Sequence, residues 1–414
     1  MGQTKNSVSR YVDQYSRAKK SLSGEDHPWV AKLREEGIAQ FEKLGFPSVK
    51  LEEWRFTDVR PIAETPFSVG NLTITTFSDE KKVGIAVLGE FFGRDGESLK
   101  DSFGKIADPS RNPFVALNSA LWDDGIYVRI PSGTVASSPV HLIFRQKEDV
   151  PSPVVTHPRI FILIERGAQA KIVEDFEGGE GIYLNNAVTE VVLEEDASLD
   201  YYRLQRESKD AFHVSTVEVL QAARSRFRSH TITVSGKIVR NDLNTTLGDQ
   251  GAEVTLNGLY LVGDHQHVDN HTTIDHVKPH CYSRELYKGI LDGQSRAVFN
   301  GKIIVRPDAQ KTDAMQTNKN LLLSDKGRVD TKPELEIFAN DVKCKHGAAV
   351  GQMNPDMLFY LRARGISEEK ARHMLIYGFV SELIHGIEIA PIRNQLTEML
   401  FGRLGLSARG FAHV

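Results

Sequence analysis

Apolar and polar positions alternate with one period at the two ends of the chain and another through its middle. Val8, Tyr11, Val12 and Tyr15 recur at helical spacing, as do Trp29, Leu33, Ile38, Phe41 and Leu44. Gly45-Phe46-Pro47 ends the second of these helices. A compact mixed segment, Val-Lys-Leu-Glu-Glu-Trp-Arg-Phe-Thr-Asp, follows before Pro61. From about Asn71 the helical period fades, except over 113–122, and short β-branched runs punctuated by Gly, Asn and Asp take over. They cover 140–144, 159–164, 170–174, 187–193, 214–220, 228–234, 253–261 and 297–305. Helical spacing returns after Asn354. A short helix over 356–364 ends at Gly365, and Ser367 caps the next, with Glu368 and Glu369 in its first turn. Ala371, Met374, Leu375, Phe379, Leu383 and Ile384 form its apolar face, and Pro391 opens a last helix carrying Ile392, Leu396, Met399 and Leu400.

This pattern predicts a mainly β chain: a helical region over 1–70, a β core over 71–351 and a helical domain over 352–414. So many short strands suit a sandwich, a barrel or a solenoid. The phrases at 165–172, 194–201 and 249–256 read as variants of one turn-plus-strand unit, which points to a solenoid with coils of roughly 20 to 30 residues. The C-terminal helices then either cap the solenoid or dock a partner.

Composition narrows the function. The 414 residues are 40% hydrophobic and 26% charged, with a net charge of -4. Acids and bases are interspersed, so no nucleic-acid surface and no anionic-membrane patch is expected. Two cysteines, Cys281 and Cys344, exclude a disulfide framework and suit a reducing cytoplasm. No apolar h-region follows the N-terminus and no apolar run is long enough to span a bilayer. Gly236-Lys237 and Gly301-Lys302 are each followed by Ile, so there is no P-loop. A dinucleotide fingerprint, His-Glu-x-x-His, Cys-x-x-Cys and Gly-x-Ser-x-Gly are also missing.

Two constellations could carry chemistry. In Glu334–Gln352 a strand-like alternation through Leu335, Ile337 and Ala339 leads to Cys344 and His346, two residues apart and then glycine. On one strand their side chains share a side, and thiol plus imidazole suits iron or zinc. Two ligands do not close a site, so others must come from elsewhere in the chain or across an interface. The second constellation is His265, His267, Asp269, His271 and Asp275, which on one strand would share a face opposite Val268 and Ile274. The order is similar to the His-x-His-x-Asp-His signature of metallo-β-lactamase-like hydrolases, but Asn270 breaks it. It reads equally as a polar ladder on a sheet surface.

Longer phrases carry a family resemblance. They are Arg240–Asn244, Gly258–Leu261, Gln266–Thr272, Tyr287–Leu291, Gly301–Val305, Ala309–Ala314, Asn320–Ser324, Val342–Gly347 and Leu358–Ile366, with Lys50–Thr57 near the N-terminus. The chain resembles the SufB/SufD family of the SUF iron–sulfur cluster assembly machinery, on its SufD side. SufB would carry a scaffold cysteine near Asn318, and none is present.

The resemblance implies a right-handed parallel β-helix with helical segments at both ends. It implies a non-catalytic subunit that pairs with a SufB-like paralogue and docks a SufC-like ABC ATPase through the C-terminal helices, or forms a homodimer when isolated. ATP would be used only by SufC. No tightly bound cofactor is expected, only transient iron or a nascent cluster. His346 would lie at the SufB interface, with Cys344 beside it. A SufB-like scaffold, a metal-dependent enzyme using His265, His267 and His271, and a polysaccharide-active β-helix using Asp269 and Asp275 are the alternatives.

Overall fold

The computed structural model describes residues 2–80, 82–123, 125–147 and 153–403. From Arg159 onward the chain alternates between two sheets. One sheet takes Arg159–Ile164, Tyr183–Leu193, Phe212–Gln221, Ile238–Leu247, His267–His276, Arg296–Val305 and Arg328–Ile337. The other takes Gln169–Glu177, Ser198–Arg206, Arg226–Thr233, Glu253–Val262, Tyr282–Leu291, Asp313–Leu322 and Lys343–Gln352. Each strand pairs in parallel with the next strand of its own sheet. Phe212 lies in register with Ile238, Ile238 with His267, His267 with Arg296, and Arg296 with Arg328. The architecture is a two-sheeted parallel β-helix of about seven coils with helices at both ends of the chain, so the solenoid reading holds over the sandwich.

The corners explain why the repeat is faint in sequence. At the corner leading from the first sheet to the second, one residue of each coil adopts a positive φ: Gly167, Asp196, Arg224, Gly251, His280 and Lys311. The amides of Gly167, Asp196, Arg224 and Gly251 each donate to a carbonyl of the following coil. The three repeated phrases each place such a residue third, whereas Arg224, His280 and Lys311 accept left-handed strain of about 1–2 kcal/mol without glycine. The fold therefore repeats a backbone conformation more faithfully than a residue type.

Side chains facing the lumen stack coil upon coil. Ile162, Val191, Leu199, Val254, Val268, Ile274, Phe299 and Val305 belong to one continuous buried core. Two of the quoted phrases interlock inside it. Gly258 is in register with Tyr287, and Tyr260 with Gly289. A Cβ at either glycine would fall within the ring of the facing tyrosine, so each ring lies where its neighbour has no side chain.

The helices cover the outer faces of the sheets. Pro113–Leu121 starts from Asn112, whose side chain accepts from the Phe114 amide, and every residue of this helix is buried. Phe114, Leu117 and Leu121 join Tyr11, Phe41 and Trp54 against Leu184, Val214 and Ile238 of the first sheet. Leu88–Asp95 is a further helix that the fading period did not predict; it buries Leu88 and Phe92. Across the solenoid, Glu368–His385 and Ala390–Arg403 lie on the second sheet. Ile376, Val380, Leu383, Ile384, Ile392, Leu396 and Leu400 pack on Tyr202, Leu204, Ile232, Leu259 and Ile290. These helices thus flank the solenoid and do not close its end. The buried stripe of the long helix is Ala371, Ile376, Val380, Leu383 and Ile384, while Met374, Leu375 and Phe379 are only half-buried, because the sheet selects a rotated face.

The segment 334–352 is not one strand. Arg328–Ile337 ends in the first sheet, 338–342 turns the corner, and Lys343–Gln352 belongs to the second. The alternation breaks at the corner, where Ile337, Phe338 and Ala339 are consecutive apolar residues and Asn340 and Asp341 consecutive polar ones.

Gly258→Ala and Gly289→Ala should each destabilise the chain by about 1–3 kcal/mol through overpacking. Gly263→Ala, where an added Cβ meets nothing within 4 Å, should be nearly neutral. Urea denaturation midpoints of the three variants test this.

Candidate functional site

Arg328–Ile337 and Lys343–Gln352 are the last strands of their sheets, each paired on one side only. Their outer edges carry unpaired amides and carbonyls, which makes this end of the solenoid a template for another chain. Cys344 is in register with Ala314 and His346 with Gln316. Ala314 and Gln316 are buried lumen positions, so the cysteine and the histidine share the lumen-facing side. His346 is nevertheless exposed, because no further coil lies over it. Its ring makes no hydrogen bond among the described residues. Cys344 is half-buried against the core. Burial, and then the charge of Asp313, pushes its thiol up, which keeps it protonated at neutral pH until a metal or cation displaces the proton.

The histidine cluster has a different setting. His267, Asp269, His271 and Asp275 point outward from His267–His276, while Val268 and Ile274 point into the core. His265 lies in the exposed corner before the strand and does not share that face. The face is covered by the segment at 52–57. Thr57 donates to Asp269, and its hydroxyl lies 2.7 Å from His267 Nε2. Arg240 is central. It pairs with Asp269 and Asp242, each at 2.7 Å, donates to the Glu53 carbonyl at 2.8 Å, and stacks 4.4 Å from the Trp54 ring centre. His271 bridges Asp269 at 3.1 Å and Glu53 at 3.4 Å.

The charges set one another's state. Burial opposes the Asp269 carboxylate, but Arg240 and His271 outweigh it and hold the group far below the usual carboxylate range. Burial and Arg240 oppose the His271 imidazolium, yet Asp269 and Glu53 raise it above an ordinary histidine. Burial pushes His267 down. Asp275 is paired with Arg306 at 2.8 Å. Both carboxylates offered for sugar chemistry thus face an arginine, and no group of three or more His, Cys, Asp or Glu among the described residues is arranged to hold a metal. Arg240, Glu53, Trp54 and Thr57 were each within a quoted phrase, but nothing in the sequence placed them at one site; Thr57 and Asp269 are 212 residues apart.

A third surface lies on the helix Pro355–Ala363, where Met357, Phe359 and Tyr360 are 56%, 72% and 56% exposed. Large apolar side chains grouped this way mark a contact surface.

Comparison with known proteins agrees with the resemblance. The family model for the SUF system FeS cluster assembly SufBD core domain matches residues 144–379. That for the SufBD protein N-terminal region matches 5–83 and 71–142. An iron–sulfur cluster assembly SufBD family protein of Synechocystis is 31% identical, covering 91% of this chain and 92% of its own. Iron–sulfur cluster assembly protein SufD of Escherichia coli is 29% identical over 90% of this chain and 92% of its own. Protein ABCI7, chloroplastic, of Arabidopsis thaliana is 31% identical over 91% and 86%.

The clamp at 52–57 should depend on pH. His271, raised in the folded state, adds stability that is complete below about pH 6.5 and is lost as pH rises through its folded value. His271→Gln should therefore shrink the fall in urea midpoint between pH 6 and pH 8.5. An unchanged fall would show that the Asp269–His271–Glu53 bridge does not carry it.

Proposed function

Because the chain belongs to the SufBD family of SUF iron–sulfur cluster assembly proteins, we propose that it is a non-catalytic subunit pairing with a SufB-like paralogue through the open end of its solenoid. Two observations support that pairing. The edges of Arg328–Ile337 and Lys343–Gln352 are unpaired at the same end, and Val329, Leu335, Val342 and Cys344 there are only partly covered core residues. A second solenoid set edge to edge would complete both ladders and bury those side chains. The same end would serve a homodimer when the paralogue is missing.

In this reading His346 supplies an imidazole to transient iron or to the nascent cluster, which is the cargo of the assembly, and Cys344 stands beside it. The observation that carries this role is the position of the His346 ring: lumen-facing, exposed and without a hydrogen bond among the described residues, on the rung a partner would cover. Two ligands from this chain leave the remainder to the partner. The helices after Asn354 dock a SufC-like ABC ATPase through Met357, Phe359 and Tyr360. A chain without a P-loop takes its ATP-driven motion from that partner: dimerisation of two SufC subunits twists the solenoid pair and opens the interface to iron or sulfur. No helix among the described residues is long and apolar enough to cross a membrane. Two cysteines and no disulfide fit assembly in the cytoplasm.

Co-expression with SufB and SufC of the same source tests these roles separately. His346→Ala should leave the complex intact and lower cluster yield by about tenfold or more. Loss of the complex would make its role architectural. Phe359→Ser with Tyr360→Ser should weaken SufC retention by on the order of tenfold while SufB remains bound. Full retention of SufC would remove this patch from the docking surface.

A further inference from the structure

The lumen beneath His346 is polar. Glu285, Gln316 and His346 occupy the same register position on three consecutive coils of the second sheet. In-register neighbours in a sheet lie about 4.8 Å apart, so the three side chains form one ladder running from the core to the open end. The two inner rungs are buried, Glu285 at 3% exposure and Gln316 at 0%. Gln316 Nε2 donates to Glu285 Oε2 at 2.7 Å. This bond uses one of the two amide hydrogens and turns the Nε2 side of the amide toward Glu285. Gln316 Oε1 is left buried with no hydrogen-bond partner. Gly301 also faces the lumen here, and a Cβ on it would fall on the Gln316 amide, so the glycine leaves the room that the amide fills.

A buried acceptor without a partner is costly unless something meets it. The next rung is His346, whose ring has no hydrogen bond among the described residues. We infer that Gln316, held by Glu285, is a positioning residue: a turn of the exposed His346 ring, which in this structure makes no hydrogen bond, brings one ring N–H to Gln316 Oε1 and presents the other nitrogen, unprotonated, to the open end. An imidazole ligates iron through its unprotonated nitrogen, and the hydrogen bond made by the other selects which that is. The proposal rests on the reading of His346 as a cargo ligand, but the orientation it describes is a property of this chain alone.

The test uses the full chain labelled with 15N-histidine. Long-range 1H–15N spectra report the tautomer of each ring, and the His346 signals are those lost in His346→Gln. Wild type should show one predominant His346 tautomer. Gln316→Met, similar in size but without an acceptor, should convert it to the mixture of a free imidazole. The exchanged pair Glu285→Gln with Gln316→Glu rebuilds the bond with its partners reversed, since the new amide donates to the new carboxylate, and should restore the single tautomer. In the co-expressed complex, Gln316→Met should lower cluster yield by about tenfold with SufB and SufC retained, and the exchanged pair should recover it.

If His346 shows the same spectrum in wild type and Gln316→Met, the proposal is overturned. If Gln316→Met fails to fold, the exchanged pair decides alone: a tautomer mixture there overturns it. If the tautomer follows Gln316 while His346→Ala leaves cluster yield intact, the positioning stands and the cargo role of His346 falls.

Discussion

Everything in this molecule depends on the in-register stacking of parallel strands. Once Phe212, Ile238, His267, Arg296 and Arg328 share one position, each lumen side chain has its neighbours fixed by the coil before and the coil after. Volume must then balance along the axis rather than within a strand. The Gly258–Tyr287 and Tyr260–Gly289 pairs are the local solution to that demand. The left-handed residue at each corner from the first sheet to the second is the backbone counterpart, tolerated at Arg224 and Lys311 because the amides and carbonyls of adjacent corners hold it.

A stacked fold has a beginning and an end, and this chain treats its surfaces unequally. The outer faces of both sheets are covered by its own helices, the first by Pro113–Leu121 and its neighbours, the second by Glu368–His385 and Ala390–Arg403. The edges of the final coil have no such cover. Buried polar groups follow the same division. The Arg240–Asp269–His271 network neutralises itself against Glu53, Trp54 and Thr57 and so fastens the N-terminal segment to the solenoid; losing one partner from such a buried pair costs about 3–5 kcal/mol. The Glu285–Gln316–His346 ladder, by contrast, ends at an exposed ring.

Legibility in the sequence tracked how apolar a strand is. Arg159–Ile164 and Arg296–Val305 stand out because their lumen positions are aliphatic, aromatic or glycine. Ile238–Leu247 and Asp313–Leu322 do not, since Asn241, Gln316, Asn318 and Asn320 face inward and break the apolar period. Their burial is made tolerable by hydrogen bonds along the ladder, such as Asn241 to Asn270 and Asn318 to the Tyr287 carbonyl, which no single strand reveals. The corner at 338–342 was marked only by the consecutive Asn340 and Asp341, where the inward positions shift from Leu335 and Ala339 to Val342 and Cys344.

The sequence by itself determined the class of fold, the helical ends, the missing ATPase machinery, the family and the pair Cys344 and His346. These follow from local period, from composition and from phrases whose meaning is carried within a few residues. Only the tertiary structure decided that His346 ends a buried polar ladder, that His267, Asp269 and His271 are clasped by residues near position 55, and that the C-terminal helices flank the solenoid. Each of those facts joins residues brought together by coil stacking or by packing across the sheets, and neither leaves a mark in the spacing of the chain.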